Sequence, residues 1–249
     1  MRNLSFRWKL IISQRTTPTC SGFIYIPRSQ QSMQPVAMDE INSGFLAPIS
    51  LNNMGAELLS QGKIQESQVM FKTALERLKA ITSALQKHPT QNTKTAKVDF
   101  HYLTPMPMQV DSEAFIFKRP IKVMETKGRE TCAVVVLDIS CAVMFNMNLT
   151  FHAQALKDSQ LNTKAIMACM VALKLRRFRR NATTLFDLGL LNNIAQLYVE
   201  KIAYGRAMHY FAKVANLLIH QDNSELDAVE LDGFMRGVLW RPPTCDHVA

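Results

Sequence analysis

Two stretches of the chain, 140 positions apart, carry the same spacing of apolar and small residues. In each stretch the apolar residues recur every three or four positions, which is typical of amphipathic α-helices. In the first stretch a break at Gln61-Gly62 divides the pattern into two helices, as a glycine at a helix end does. The shared register predicts one type of antiparallel helix pair at both places. The matched positions are Leu51/Leu191, Met54/Ile194, Gly55/Ala195, Leu58/Tyr198, Ile64/Tyr204, Ser67/Ala207, Phe71/Phe211 and Ala74/Val214.

The small residues in this pattern have a packing role. Two antiparallel helices approach closely only where a small side chain on each leaves room, and Gly55 and Ser67 supply that room in the first pair. A single helix pair cannot bury both of its apolar faces, so the pairs are expected to stack. A middle pair is predicted between them, with Met144, Met147, Asn148 and Phe151 on its first helix and Ala165, Cys169 and Ala172 on its second.

The pattern resembles the tetratricopeptide repeat (TPR), in which a large residue, L-G and Y on one helix are followed by A, F and A on the next. The resemblance covers about residues 48–87 and 140–220. The layout is also similar to that of short TPR-like proteins of unicellular algae, which place a β-like insertion between the first and second helix pairs. The resemblance implies a mainly all-α fold, built as a stack of antiparallel helix hairpins with a small β-hairpin insertion and a C-terminal capping helix.

The predicted organisation has a tail, a helical domain from 48 to 240 and a short C-terminal tail. Within the domain, helical periodicity and polar breaks set the boundaries. Asn148 occupies the small-residue position of the middle pair, and the turn that follows is about five residues longer than in the other pairs. The expected parts are a basic tail at 1–47, repeat 1 at 48–87, linker and β-like insertion at 88–139, repeat 2 at 140–178, repeat 3 at 183–220, a last helix at 225–240 and a tail at 241–249.

Two apolar runs in the insertion favour β-strands. EAFIFKRPIKVM alternates apolar and polar residues, and TCAVVVLDI follows it after a turn at Gly128. Pro120 restricts the first run to the edge of a sheet because proline has no N–H to donate. A hairpin of these two runs is one interpretation. In the other, AVVVL begins the next helix, although its β-branched residues disfavour that.

The net charge of +9 is concentrated at the N-terminus. Residues 1–38 hold five basic and no acidic side chains, which is typical of an organelle transit peptide, of a disordered extension, or of an early start before Met33 or Met38. The five cysteines are an odd number without a CxxC pair, which favours a reducing, intracellular compartment. The cytoplasm is expected, or an organelle if the tail is a transit peptide. No apolar run of about 18 residues occurs, so no membrane-spanning helix is expected.

The sequence offers no pattern that points to catalysis. It contains no P-loop, GxGxxG, GxSxG or HExxH. The six histidines show no metal-ligand spacing with cysteines or acidic residues. We therefore expect a protein that is not an enzyme and that binds no cofactor and no metal.

The TPR resemblance implies a concave groove that binds a peptide segment of a partner protein. Carried over residue by residue, it places Asn52, Ala56, Asn192, Gln196 and Val199 in that groove. Side-chain amides suit recognition of a peptide backbone because each offers donors and an acceptor. The family's charged clamp for a partner's C-terminal carboxylate is not expected, because lysine and arginine are absent from these positions. The first functional hypothesis is thus a non-catalytic adaptor for a protein partner that the sequence does not identify.

A basic cluster on the second helix of repeat 2 supports a second hypothesis for the function of the protein. Five cations surround Phe178, and such a cluster can hold phosphates or an acidic partner. Cations are also favoured at a helix C-terminus by the helix dipole. The alternative hypothesis is a nucleic-acid-associated factor that uses residues 174–180. The members of the cluster are Lys174, Arg176, Arg177, Arg179 and Arg180.

Overall fold

A computed structural model describes residues 38–87, 98–107, 115–125, 133–155, 158–177, 184–220 and 226–243. These residues form seven helices and two antiparallel strands, so the expected mainly helical fold with a small sheet is confirmed. In chain order the elements are α1 (Met38–Ser60), α2 (Ile64–Lys87), β1 (Val98–Tyr102), β2 (Ile121–Glu125), α3 (Ala133–Ala155), α4 (Leu161–Arg176), α5 (Thr184–Glu200), α6 (Tyr204–His220) and α7 (Ala228–Leu239).

Six of these helices pack as consecutive pairs: α1 with α2, α3 with α4, and α5 with α6. We call these pairs units 1, 2 and 3. The second helix of each unit also packs against the first helix of the next unit. Helix α1 begins at Met38, ten residues before the predicted boundary at 48, and Pro48 lies inside it. Most of the basic tail, residues 1–37, lies outside the described residues.

The turns of units 1 and 3 have the same hydrogen bonds at positions 140 residues apart. The N–H of Gly62 donates to Leu59 O at 2.9 Å, and the N–H of Lys63 donates to Leu58 O at 2.9 Å. The N–H groups of Ile202 and Ala203 donate in the same way, each over 2.8 Å. Both Gly62 and Ile202 have positive φ angles, of 76° and 57°. The sequence register therefore reappears in the backbone of the two turns.

The helices of unit 1 cross where the sequence placed its small residue. A Cβ atom added to Gly55 would lie 2.6 Å from the Phe71 ring, so glycine is required at this crossing. In unit 2 the corresponding position holds Asn148, whose Nδ2 donates to the carbonyl of Ala165 on α4 at 3.1 Å. Unit 2 thus accommodates a larger polar residue by bonding it to the facing helix.

The sheet differs from the predicted hairpin in one of its two strands. Residues 133–139, read as a possible strand, form the start of α3, so the interpretation that AVVVL opens a helix is the correct one. Strand β2 covers the end of the predicted run EAFIFKRPIKVM and one residue beyond it, and its partner β1 lies in the region predicted as linker. Phe100 pairs with Val123 in this antiparallel register. β1 was missed because its alternation spans only five residues.

Helix α3 is the central helix of the core. Its Val135–Ala155 stretch is long and apolar enough to cross a membrane by length and composition, and most of it is buried inside the protein. Among the described residues it is the one helix that meets these criteria. It contacts α1, α2, α4 and both strands. The burial shows a core helix surrounded by other elements, which explains why it lacks an amphipathic pattern.

Replacing Ile202 by glycine is expected to stabilise the protein by about 1 kcal/mol. A β-branched residue is strained at positive φ, and Ile202 is so exposed that glycine loses little burial there. The converse change, Gly62→Ile, should destabilise the protein by a similar amount. Urea unfolding of the two variants measures both effects. Equal stabilities of Ile202→Gly and the wild type would show that the turn relaxes the strain in another way.

Candidate functional site

The first helices of the three units each carry an asparagine at the same repeat position. These are Asn53 on α1, Asn146 on α3 and Asn193 on α5. The pairing of Leu51 with Leu191 fixes the equivalence of Asn53 and Asn193, and the alignment of unit 2 on Met144 gives Asn146. The three side chains point at one extended piece of the same chain, residues 115–125, which we call the groove segment.

Each asparagine binds both backbone groups of a single residue in the groove segment. Asn193 accepts from the N–H of Phe117 and donates to its carbonyl, both over 2.9 Å. Asn146 makes the same two bonds to Ile121, both over 2.8 Å. Asn53 makes them to Val123, over 2.7 Å and 2.9 Å. The segment therefore runs through the groove from unit 3 to unit 1, held by each unit in turn.

An asparagine is suited to this contact because its amide presents one acceptor and a donor side by side. It satisfies the N–H and C=O of one extended residue as a neighbouring strand would. The opposite edge of the groove segment is paired with the chain around β1, where Pro120 O accepts from Leu103 N–H at 2.8 Å and Lys118 O from Met106 N–H at 2.9 Å. The buried backbone of the segment is thus bonded on both sides.

The side chains of the groove segment fill the core between the helices. Phe117 is almost wholly buried, and its ring lies 5.8–6.0 Å from the rings of Tyr102, Phe145 and Phe234. A Cβ atom added to Gly189 on α5 would lie 2.5 Å from the Phe117 ring. Glycine at 189 is therefore the residue that lets the ring approach the helix.

The last helix, α7, covers one end of the groove segment. Its Gly233 lies so close to the ring of Phe115 that an added Cβ would be 2.2 Å away. Its Glu230 receives a hydrogen bond from Arg119 Nη1 at 2.7 Å and also closes the capping box with Asp227. Helix α7 also packs against both helices of unit 3, so it contacts both that unit and the segment in the groove.

The five predicted groove residues do lie on the first helices, but the structure corrects what fills the groove. Asn52, Ala56, Asn192 and Gln196 are buried, and Val199 is half-buried. Asn52 donates to the carbonyl of Ile121 at 3.0 Å, and Asn192 donates to that of Phe115 at 2.7 Å. A peptide backbone is bound there, as the amides suggested, but it belongs to the same chain. These side chains are not open to a partner.

Sequence reasoning missed the residues with the strongest contacts, Asn53, Asn146 and Asn193. It chose the preceding position, 52 and 192, which in unit 2 is Phe145 and has no amide. The signal was present in the sequence, because asparagine occupies this same aligned position in all three units, as Asn53, Asn146 and Asn193. A search for one polar residue type repeated in the aligned first helices would have found it.

The predicted basic patch is divided by the structure. Arg176 is buried, with Nε 3.2 Å from Asp187 Oδ1 and its guanidinium 5.4 Å from the centre of the Phe186 ring. Burial raises the pKa of Asp187, and Arg176 acts against this rise. Arg176 is therefore a core residue, a correction of its predicted place in a solvent-facing patch. Arg179 and Arg180 lie outside the described residues, whereas Lys174 and Arg177 are exposed.

Lys174 and Arg177 line a cleft of about 560 Å³ between α4 and the junction of α5 with α6. Lys201 and Arg206 line it from the other side, and none of the described residues that line it is acidic. Arg206 lies over the Tyr198 ring at 5.6 Å, and Lys201 Nζ donates to Thr163 Oγ1 at 2.7 Å. We call this feature the cationic cleft, and none of its lining residues holds the groove segment.

Cys169 on α4 is fully buried in the core. Complete burial raises the pKa of the Cys169 thiol far above its usual range, so this cysteine is not a nucleophile at neutral pH. No group of three or more histidine, cysteine or acidic residues that could hold a metal occurs among the described residues.

Comparison with protein-family models, with curated proteins and with solved structures gives no significant match to this chain.

Proposed function

We propose that the chain is a non-catalytic interaction protein built on a TPR-like stack of three helix pairs. The observation that supports the proposal most is the repeated asparagine contact, in which Asn53, Asn146 and Asn193 bind extended backbone from equivalent positions. In TPR-like proteins the first helices line the concave groove that binds a peptide. The three units share this capacity, which favours a repeat architecture over three unrelated helix pairs.

The proposal includes a location for the partner outside the concave groove. Phe117, Ile121 and Val123 of the groove segment are almost wholly buried, and the backbone of the segment is bonded on both edges. A partner segment would have to displace this part of the core, at a large loss of apolar burial. An adaptor with a filled groove therefore offers its outer surface to the partner.

We expect the tagged full-length protein to co-purify from its native cell with one or more proteins in reproducible stoichiometry after nuclease treatment. Quantitative mass spectrometry of the purified material measures this. The control variant Asn216→Arg changes an exposed side chain on α6 and should co-purify with the same proteins as the wild type. Recovery of the protein alone, or of nucleic acid alone before nuclease treatment, would contradict the adaptor function. The second of these results would support the nucleic-acid hypothesis.

A further inference from the structure

The cationic cleft has the form of a docking site for a helix. Five of its lining residues recur every three or four positions along one face of α4 and its C-terminal end: Thr163, Met167, Met170, Lys174 and Arg177. The face spans about 21 Å at the rise of an α-helix, which matches a bound helix of about 14 residues. Met167 and Met170 are both well exposed.

The floor of the cleft is apolar and adaptable. Besides the two methionines, Ile166, Val171 and Leu173 contribute to it. Methionine is unbranched and polarizable, and methionine-rich surfaces accept helices of varied sequence. Tyr210 supports the floor from α6, because its hydroxyl lies 3.0 Å from Met170 Sδ. A partner would bury apolar side chains here.

Cations lie at both ends of this floor. Lys174 and Arg177 stand at the C-terminal end of α4, and Lys201 contacts Thr163 near its N-terminal end. In the described part of the chain neither Lys174 nor Arg177 has an acidic partner, and no acidic side chain lines the cleft. The charge complement of this arrangement is a helix with acidic residues on both sides of an apolar stripe.

We propose that the cationic cleft docks an amphipathic acidic helix of a partner protein. The inference rests on the proposed function and names the kind of segment that the adaptor binds. An apolar floor between the cations favours a peptide over nucleic acid, whose backbone requires a continuous basic track and whose bases stack on aromatic rings. Tyr198 is the one aromatic ring among the described residues that line the cleft.

The test is a selection from a random 16-residue peptide display library on the immobilised full-length protein. Lys174→Glu/Arg177→Glu is the test variant, and Arg77→Glu/Lys79→Glu on α2 makes the same charge change at exposed positions away from the cleft. We expect enriched peptides to carry acidic residues flanking apolar ones at helical spacing. Fluorescence anisotropy should show binding weakened about tenfold or more by the test variant and unchanged by the control.

A second pair of variants examines the apolar floor. Met167→Asp should abolish binding of the selected peptides, whereas Val69→Asp, at an exposed position on α2, should not. Thermal melts of all four variants separate lost binding from lost folding. Enrichment of the same peptides on the test variant, or tighter binding of a 16-nucleotide uridine RNA than of any peptide, would overturn the proposal. So would sedimentation showing that the cleft mediates self-association.

The two proposals fail in distinguishable ways. If the partner captured from the cell stays bound to Lys174→Glu/Arg177→Glu, the cleft proposal is wrong and the adaptor function stands. If the full-length protein captures no protein, the adaptor function fails whatever peptides the cleft selects.

Discussion

Replacing Asn146 by alanine is expected to destabilise the protein by about 4 kcal/mol. The side chain is fully buried on α3, and its removal takes the hydrogen-bond acceptor from the N–H of Ile121 and the donor from the Oδ1 of Asn52. Each buried polar group left without a hydrogen bond costs about 1–3 kcal/mol, and the lost volume adds to this. Urea unfolding measures the difference. The loss is a large share of the stability of an ordinary domain.

The three repeated asparagines supply a graded comparison. Asn193→Ala should cost about 3 kcal/mol because both backbone groups of Phe117 lose their partner in a buried site. Asn53 is half-buried, so water can replace part of its contact and Asn53→Ala should cost about 1–2 kcal/mol. Asn216→Ala, on the exposed side of α6, should change stability by about 0.5 kcal/mol or less. Equal effects of all four changes would contradict the role of the groove asparagines.

The helical part of the fold could be predicted from the sequence because its pattern is local. The spacing of apolar residues in units 1 and 3, and the glycine at 62, depend on neighbouring residues only. Helix α3 was less well predicted. Its AVVVL start is apolar at all five positions, so it has no polar face that would distinguish a helix from a strand.

The occupant of the groove could not be predicted, because it depends on contacts between residues 25 to 77 positions apart. Asn193 contacts Phe117, 76 positions away, and nothing near either residue marks the pairing. The sequence did indicate that amides on the first helices bind backbone. It left open whose backbone that is, since the bonds go to N–H and C=O groups that every peptide has. For the same reason the burial of Arg176 could not be predicted, because it depends on Asp187 and Phe186 of the next unit.

A filled groove changes which surfaces of these three helix pairs are available for binding. With the first helices occupied by the groove segment, the exposed faces of the second helices remain, and the cationic cleft lies beside one of them, α4. The groove segment then acts as a core element that joins the three units, since it contacts α1, α3 and α5 in turn. Three units are near the minimum for a stable stack, and a strand shared by all of them supplies contacts that further repeats would otherwise provide.

Phe117→Ala is expected to destabilise the protein by about 4 kcal/mol, because a buried phenylalanine ring is lost from among three other rings. Gly189→Ala should cost about 2 kcal/mol through the close approach of its new methyl group to the Phe117 ring. The matched control is Gly205→Ala on α6, where an added Cβ meets no atom within 4 Å and helix propensity favours alanine. That variant should be as stable as the wild type or more stable. Thermal and urea unfolding measure all three.

Combining the two substitutions tests whether Phe117 sits against α5 in solution. In the Phe117→Ala background the space next to position 189 is empty, so Gly189→Ala should cost nothing or stabilise the protein slightly. The double-mutant cycle should then give a coupling energy of about 2 kcal/mol between residues 72 positions apart. Additive effects would mean that the Phe117 ring does not pack on Gly189. Coupling of the expected size establishes that the protein's own segment occupies the groove.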